Sequence, residues 1–230
     1  MSTAVIFDFD GVLIDSEGLQ YKSYLEVLAR YGVWVSLEEY CEHWIAAGCG
    51  PEHAVEKYGL PITPEELREL KSPVYHQILR SEVTLMPGVV AALGRIALAF
   101  PLGLATNSNR ADVGYAMEHF DLARHFAVVV TRDDYERAKP EPDAFVTAAA
   151  RLAVPPERCV IVEDAYKGIV AAKRAGAKVV AVPNDYTRTN DFSSADVVLN
   201  GLEGLDVELI EQLVGPTSGG DAVRGREELP

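Results

Sequence analysis

Basic residues are scarce in this chain: 21 Lys and Arg stand against 35 Asp and Glu, a formal net charge of −14. That sign opposes docking on a phosphate backbone or an anionic bilayer, so neither a nucleic-acid nor a membrane partner is expected. Cysteine is equally scarce. Cys41, Cys49 and Cys159 are odd in number and fall in no CxxC or Cys/His spacing, which argues against a disulfide framework or a zinc site and fits a reducing cytoplasm. No basic segment precedes the short apolar run at Ala4, as a secretory leader requires. Long unbroken apolar runs are missing too. The most membrane-like stretch, 88–105, is interrupted by Arg95 and Pro101 and reads as a helix followed by a buried strand. What is there, 230 residues with 48% hydrophobic and 24% charged side chains, suffices for one large core or a core with a smaller companion.

Apolar runs that read as buried strands occur at 4–9, 102–106, 128–131, 159–163 and 178–182, with a weaker one at 196–199. Most are separated by segments of helical length. That alternation predicts an α/β protein, a Rossmann-like parallel sheet with helices on both faces, because parallel neighbours need long crossovers. Residues 16–85 break the rhythm. They contain no convincing strand but two capping-box spacings, Ser36-Leu37-Glu38-Glu39 and Thr63-Pro64-Glu65-Glu66, the second with proline at the first helical position. They read as an all-helical cap inserted after the first strand, and Pro87-Gly88 marks the return. The core is therefore expected over 1–15 and 86–214, the cap over 16–85, and a loose tail over 215–230, where Gly, charge and small polar residues prevail.

Polar residues gather where the expected strands end: Asp8-Phe9-Asp10-Gly11, Thr106-Asn107-Ser108 and Glu163-Asp164. Lys139 joins them in the short stretch AKPEPD, before a helix with Asp143 as its expected cap. In a parallel sheet ligands collect at the carboxyl ends of the strands, so strand direction alone brings all but Lys139 to one edge. Any one of these residues taken alone reads as a cap, a turn former or a solvated side chain. As a set they ask for chemistry. Asp8, Asp10, Glu163 and Asp164 repel one another unless a hard divalent cation neutralises them, and oxygen-only donors with no nearby His or Cys favour Mg²⁺. A phosphoryl group on that metal needs cationic and hydrogen-bonding support, which Lys139, the Thr106 hydroxyl and the Asn107 amide supply. Gly11 admits backbone N–H groups close to an anion.

These residues resemble the haloacid dehalogenase-like hydrolase superfamily. The likeness rests on DxDGVLxDS at 8–16, Thr106 after an apolar strand, Lys139 in KPEPD, and EDAYKGIVAAKRAG at 163–176, all in the family's order. It is nearest to the β-phosphoglucomutase and phosphoglycolate-phosphatase-like branch, which carries a helical cap after the first motif. The resemblance implies that Asp8 is the nucleophile, forming an aspartyl-phosphate, and that Asp10 protonates the leaving oxygen and then activates water. It implies Mg²⁺ held by the Asp8 carboxylate, the Asp10 backbone carbonyl and Asp164, with Glu163 contributing directly or through water. Thr106 and Lys139 are implied to bind the phosphoryl group, and Lys139 also to orient Asp8. Dehalogenating members lack the second aspartate, since a halide leaves unprotonated, so Asp10 favours an oxygen leaving group and hence a phosphate ester.

Alternatives stay open. Mutases of this branch carry a hinge His and a basic cap residue for a second phosphate, whereas Gln20 stands at the hinge here and the cap stretch AAGCGPEHAV has no Arg or Lys. Transfer to water is the first expectation, with a small phosphorylated metabolite such as a sugar phosphate or sugar acid as substrate. A phosphosugar mutase is the alternative within the family, with a phosphoaspartate signalling or binding module outside enzymology. His53, Lys57 and Lys22 are candidates for holding an anionic substrate. Asp15 is expected to cap the first cap helix or brace its loop, and Tyr21, Tyr24, Trp34, Tyr40 and Trp44 to form the cap's own core. The sequence carries no signal for oligomeric state.

Overall fold

A computed structural model describes residues 2–215, so nearly all of the expected tail, 216–230, lies outside the described residues. The chain begins with β1 (Ala4–Phe7) and then turns helical: α1 (Glu17–Ala29), α2 (Leu37–Glu39) widening into a π-helical turn (Tyr40–Ala46), α3 (Pro51–Tyr58) and α4 (Pro64–Glu82). Next come α5 (Val89–Ile96), β2 (Leu102–Ala105), α6 (Arg110–His119), β3 (Val128–Val130) and α7 (Asp143–Arg151). β4 (Cys159–Glu163), α8 (Tyr166–Ala175), β5 (Lys178–Ala181), β6 (Val197–Val198) and α9 (Val207–Val214) complete it. The strands form one sheet in the order β3-β2-β1-β4-β5-β6, every pairing parallel. No helix of the described residues is long and apolar enough to cross a membrane.

Period-two alternation divides the sheet's side chains between two cores. Val5, Phe7, Val160, Val162 and Val180 face α5, α6 and α9, packing with Leu93, Ile96, Val113 and Ile210. Ala4, Ile6, Ile161, Val179 and Ala181 face α7 and α8, where Phe145, Ala148, Ile169, Ala171 and Ala172 meet them. Both faces are covered, which is why the strands read as continuous apolar runs. The strand expected at 159–163 is found with those bounds, whereas the others overran by one or two residues at their carboxyl ends. Phe9, Thr106, Thr131 and Val182 leave the ladder because the chain there bends into the loops that carry polar groups.

The helices between β1 and α5 enclose a third cluster of Val27, Leu28, Val35, Tyr40, Trp44, Ala54 and Leu67. Tyr21 and Tyr24 pack against it, but Trp34 is 69% exposed and does not belong to it, contrary to expectation. The chain enters and leaves this helical segment through paired stretches: Asp15 N donates to Thr84 O at 2.9 Å and Met86 N to Leu13 O at 3.0 Å. Thr63 and Glu66 form the reciprocal capping box at α4. Ser36 accepts from Glu39 N at 3.1 Å, but the Glu39 side chain turns away to His53, Lys57 and Tyr58, so that box is half made. Two further expectations fail. Ser16, not Asp15, stands at the start of α1, and Asp15 is exposed. Pro142 occupies the cap position of α7, while Asp143 is its first helical residue and binds Arg137, whose guanidinium is the nearer cation.

The turn after β3 is held by one carboxylate. Asp134 accepts from Thr131 N at 2.9 Å and pairs with Arg110 and Arg151, both at 2.9 Å, which ties the strand end to α6 and α7. Burial pushes this carboxyl up, but the hydrogen bonds from Thr131, Arg151 and Arg110 outweigh it and hold the group well below the usual carboxylate range. Its stabilisation is therefore present above the unfolded carboxylate pKa and lost as pH falls. Asp134→Ala is expected to cost about 2 kcal/mol in urea unfolding at pH 7, with the gap from wild type narrowing below about pH 4.

Candidate active site

Three strand ends and one loop converge. Asp8 follows β1 directly, and its N–H still donates to Val162 O at 2.9 Å, so the sheet itself fixes the position of the carboxylate. The chain then closes a tight turn in which Leu13 N and Ile14 N both donate to Phe9 O. Gly11 makes the turn possible: its φ is +73°, and a Cβ there would collide with the Asp164 carboxylate and the Asn184 amide. β2 delivers Thr106, Asn107 and Ser108, and β4 delivers Glu163 and Asp164.

Lys139 reaches the centre from the loop before α7. Its ammonium donates to Asp8 Oδ1, to Glu163 Oε1 at 2.8 Å and to Ala105 O at 3.1 Å, using all three N–H bonds, and it lies 4.4 Å from the centre of the Phe145 ring. Glu163 is fully engaged on its other side, where Oε2 accepts from the N–H groups of Asp164 and Ala165 at 2.9 and 3.1 Å. Gly168 explains how so bulky a carboxylate fits: a Cβ at that position would lie inside the Glu163 carboxylate.

Asp10 sits among hydroxyls. Ser16 Oγ donates to Oδ1 at 2.6 Å, and Ser108 Oγ and Thr106 Oγ1 donate to Oδ2, the latter at 3.4 Å. Thr106 Oγ1 also accepts from Ser108 N at 2.9 Å. Asn107 Oδ1 accepts from Tyr135 OH at 2.8 Å and from Lys139 N at 3.1 Å, which leaves its NH₂ for a ligand.

The electrostatics are lopsided. One oxygen each of Asp8, Glu163 and Asp164 lies within 4.8 Å of the others, all three residues are buried, and among the described residues Lys139 is the one cation hydrogen-bonded to the group. Burial, with Glu163 and Asp10 adding to it, lifts Asp8 to about 8 against the downward pull of Lys139. Burial, then Glu163 and Asp8, lift Asp164 well above the carboxylate range. Lys139 goes the other way from a buried lysine, because Asp8 and Glu163 outweigh its desolvation and keep it charged. Such a donor set, all oxygen and short of positive charge, is what a hard divalent cation fits.

Residues that the sequence did not flag complete the site. Asn184 Nδ2 donates to Asp164 Oδ2 at 2.7 Å and to Gly11 O at 3.3 Å, while its Oδ1 accepts from Tyr186 N and Thr187 N. Only the fold brings it there, since nothing local in PNDYT marks a site. On the helical side Glu17, first residue of α1, accepts from Tyr40 OH at 2.5 Å, and Lys71 of α4 donates to Gln20 Oε1 and lies 4.1 Å from the Tyr75 ring centre. Burial draws the Lys71 ammonium down to about 8, although Glu17, Asp10 and Asp112 oppose the shift. The cap cations expected to hold an anion are engaged elsewhere: His53 and Lys57 on Glu39, Lys22 on Glu82. Two cavities, about 230 and 340 Å³, adjoin at Asp10, Glu17, Trp44, Ile45 and Asn107.

Residues 5–182 match the haloacid dehalogenase-like hydrolase family, and the chain belongs to it. YhcW of Bacillus subtilis is 35% identical over 213 residues, covering 91% of this chain and 96% of that protein. Protein CbbY of Rhodobacter capsulatus is 31% identical, covering 91% and 98%, and the phosphoglycolate phosphatase of Escherichia coli is 30% identical, covering 87% and 90%. Among solved structures, CbbY from Rhodobacter sphaeroides in complex with phosphate superposes with a TM-score of 0.74 at 27% identity, covering 89% of this chain and 96% of that one. With this family and these relatives, the chain is an enzyme, a phosphatase.

Gly168→Ala tests the packing beneath Lys139. The added methyl displaces the Glu163 carboxylate from its buried partners, and a loss of about 2 kcal/mol or more is expected in chemical denaturation, whereas Gly114→Ala, which meets nothing within 4 Å, should be neutral or stabilising.

Proposed function

We propose that the protein hydrolyses a small phosphorylated metabolite through an aspartyl-phosphate on Asp8, with Mg²⁺ as cofactor and the helical segment 16–85 acting as a cap over the core formed by 1–15 and 86–214. The observation that carries this reading is the buried Asp8, Glu163 and Asp164 cluster around the single Lys139 ammonium. Asp8 and Asp164, with the Asp10 backbone carbonyl, would hold the metal. Glu163, both of whose oxygens are already engaged, would act by fixing Lys139 and the Asp164 loop. Bound Mg²⁺ would supply positive charge to the phosphoryl oxygens.

The protein's own groups then have distinct tasks. Lys139 holds Asp8 Oδ1, so the other carboxylate oxygen attacks phosphorus; the bond to the leaving oxygen breaks, and Asp10 gives that oxygen a proton. Asp10 next removes a proton from the water that attacks the phosphoryl group, which leaves as inorganic phosphate and frees Asp8. The Ser16, Ser108 and Thr106 hydroxyls hold Asp10 at the junction of nucleophile and leaving group. The Thr106 hydroxyl, the Asn107 NH₂ and N–H groups of the Gly11 turn would contact the transferring phosphoryl, with Lys139 beside it. Water as final acceptor is favoured over a second phosphate ester because His53, Lys57 and Lys22 are each committed to a carboxylate.

Phosphate release from small phosphate esters, measured with Mg²⁺ and with EDTA, is the direct test. Release should need the metal, Asp8→Asn should abolish it, and Asp10→Asn should lower kcat roughly 10²- to 10⁴-fold. Absence of release from every ester by folded, metal-loaded protein would sink the reading. Asn184→Ala, which frees Asp164 Oδ2 from its donor, should weaken Mg²⁺ binding about 10- to 100-fold in calorimetric titration while the fold is retained.

A further inference from the structure

Three acceptor oxygens at the end of β2 are held by the loop that follows β3. Ser108 O accepts from Arg132 N at 2.9 Å, and Thr106 O accepts from Tyr135 OH at 2.8 Å. Asn107 Oδ1 accepts from the same hydroxyl at 2.8 Å and from Lys139 N at 3.1 Å. One phenol proton is thus shared between two oxygens of the β2 end. What those bonds leave for a ligand is the Thr106 hydroxyl and the Asn107 NH₂.

Asn107 depends on that hold more than Thr106 does. The Thr106 peptide is still tied to the sheet, its N–H donating to Val130 O at 3.1 Å, and its buried hydroxyl is bonded to Ser108 N and Asp10. Asn107 is exposed and borders both adjoining cavities. An exposed amide can turn over, and would then offer an anion an acceptor in place of a donor. In a cavity already bordered by Asp8, Asp10 and Asp164, a further acceptor weakens the hold on phosphate. The Lys139 N–H can only donate, so the amide atom facing it is the oxygen, and Tyr135 supplies the second donor that keeps it there. Burial raises the Tyr135 phenol to about 12 against the pull of Lys139 and Arg132, so the hydroxyl keeps its proton at neutral pH. That hydroxyl is not needed to close its own loop. Asp134 accepts from Thr131 N, and Arg132 donates to Tyr135 O at 2.7 Å and to Glu136 O at 2.9 Å. The Tyr135 ring packs against the core that holds Phe145 and lines neither cavity, so it acts on a ligand only through its neighbours.

We infer that Tyr135 is a positioning residue for phosphoryl binding: its hydroxyl fixes the Asn107 amide with the NH₂ toward the transferring group, so that the β2 end meets phosphate with donors alone. The inference rests on the hydrolase reading above for the identity of the anion. It adds to that reading a residue that never touches substrate.

Inorganic phosphate is the probe, its binding to the Mg²⁺-loaded protein measured by calorimetry beside kcat and KM for p-nitrophenyl phosphate. Tyr135→Phe keeps the ring and removes the bond. It should weaken phosphate binding about 10-fold and lower kcat/KM by a similar factor, with Mg²⁺ affinity unchanged. Asn107→Ala should weaken phosphate at least as much, and Tyr135→Phe added to Asn107→Ala should weaken it no further, a non-additivity that loosened packing alone does not produce. Unchanged phosphate affinity in folded Tyr135→Phe overturns the inference, as does a fully additive loss in the double variant. Should Tyr135→Phe not fold, Tyr135→Met carries the same expectations. Either overturning result, with wild type still releasing phosphate from the ester, leaves the hydrolase reading standing. Neither release nor phosphate binding by folded, metal-loaded wild type overturns that reading and this inference with it.

Discussion

The Lys139 ammonium is the contact on which the rest of the site depends. It is buried between Asp8 and Glu163 with a backbone carbonyl as its third acceptor, so each partner makes the others tolerable. Breaking a buried pair by removing one member leaves an uncompensated charge, which costs about 3–5 kcal/mol. The dependence runs outward through the fold. Gly168 admits Glu163, Glu163 orders the first N–H groups after β4, and those hold the loop that presents Asp164.

A single lysine does not balance that many carboxylates, and the fold does not try to balance them with more. Instead it keeps them apart by different means: Asp8 by the lysine, Asp10 by three hydroxyls, Asp164 by the Asn184 amide, and Glu17 by a tyrosine. Neutral donors hold acids without cancelling their charge. The result is a pocket rigid enough to orient four carboxyl groups and negative enough to want a cation, which is the condition under which a phosphate dianion can approach acids at all.

Asp8, Thr106 and Asp164 were legible because each follows the end of an apolar run, and parallel strands carry their ends to one edge; Lys139, in a polar loop, was legible only from the KPEPD motif. The sheet was legible for the same reason: strands covered on both faces have no polar side to confuse the pattern. Local capping was less so. Glu39 satisfies the spacing of a capping box yet binds His53, Lys57 and Tyr58, and Asp143 lost the cap to Pro142 while gaining Arg137. Asn184, Glu17 and Lys71 left no trace in the sequence, since their significance lies in how helices and loops dock, and a docking angle has no local period. Sequence reading looked to His53 and Lys57 for cap chemistry because they are basic; the structure shows them satisfied, with the cavity lined by less conspicuous residues.

β1 lies at the middle of the sheet, flanked by strands that follow it by roughly a hundred residues and more. Asp8 and its lysine stand 131 positions apart, and the amide that closes over Gly11 lies 173 positions beyond that glycine. Such long-range closure is slow, because loop entropy is lost before distant contacts form. The cluster is complete only when β4 has paired with β1 and the segments carrying Lys139 and Asn184 have closed on Asp8 and Gly11.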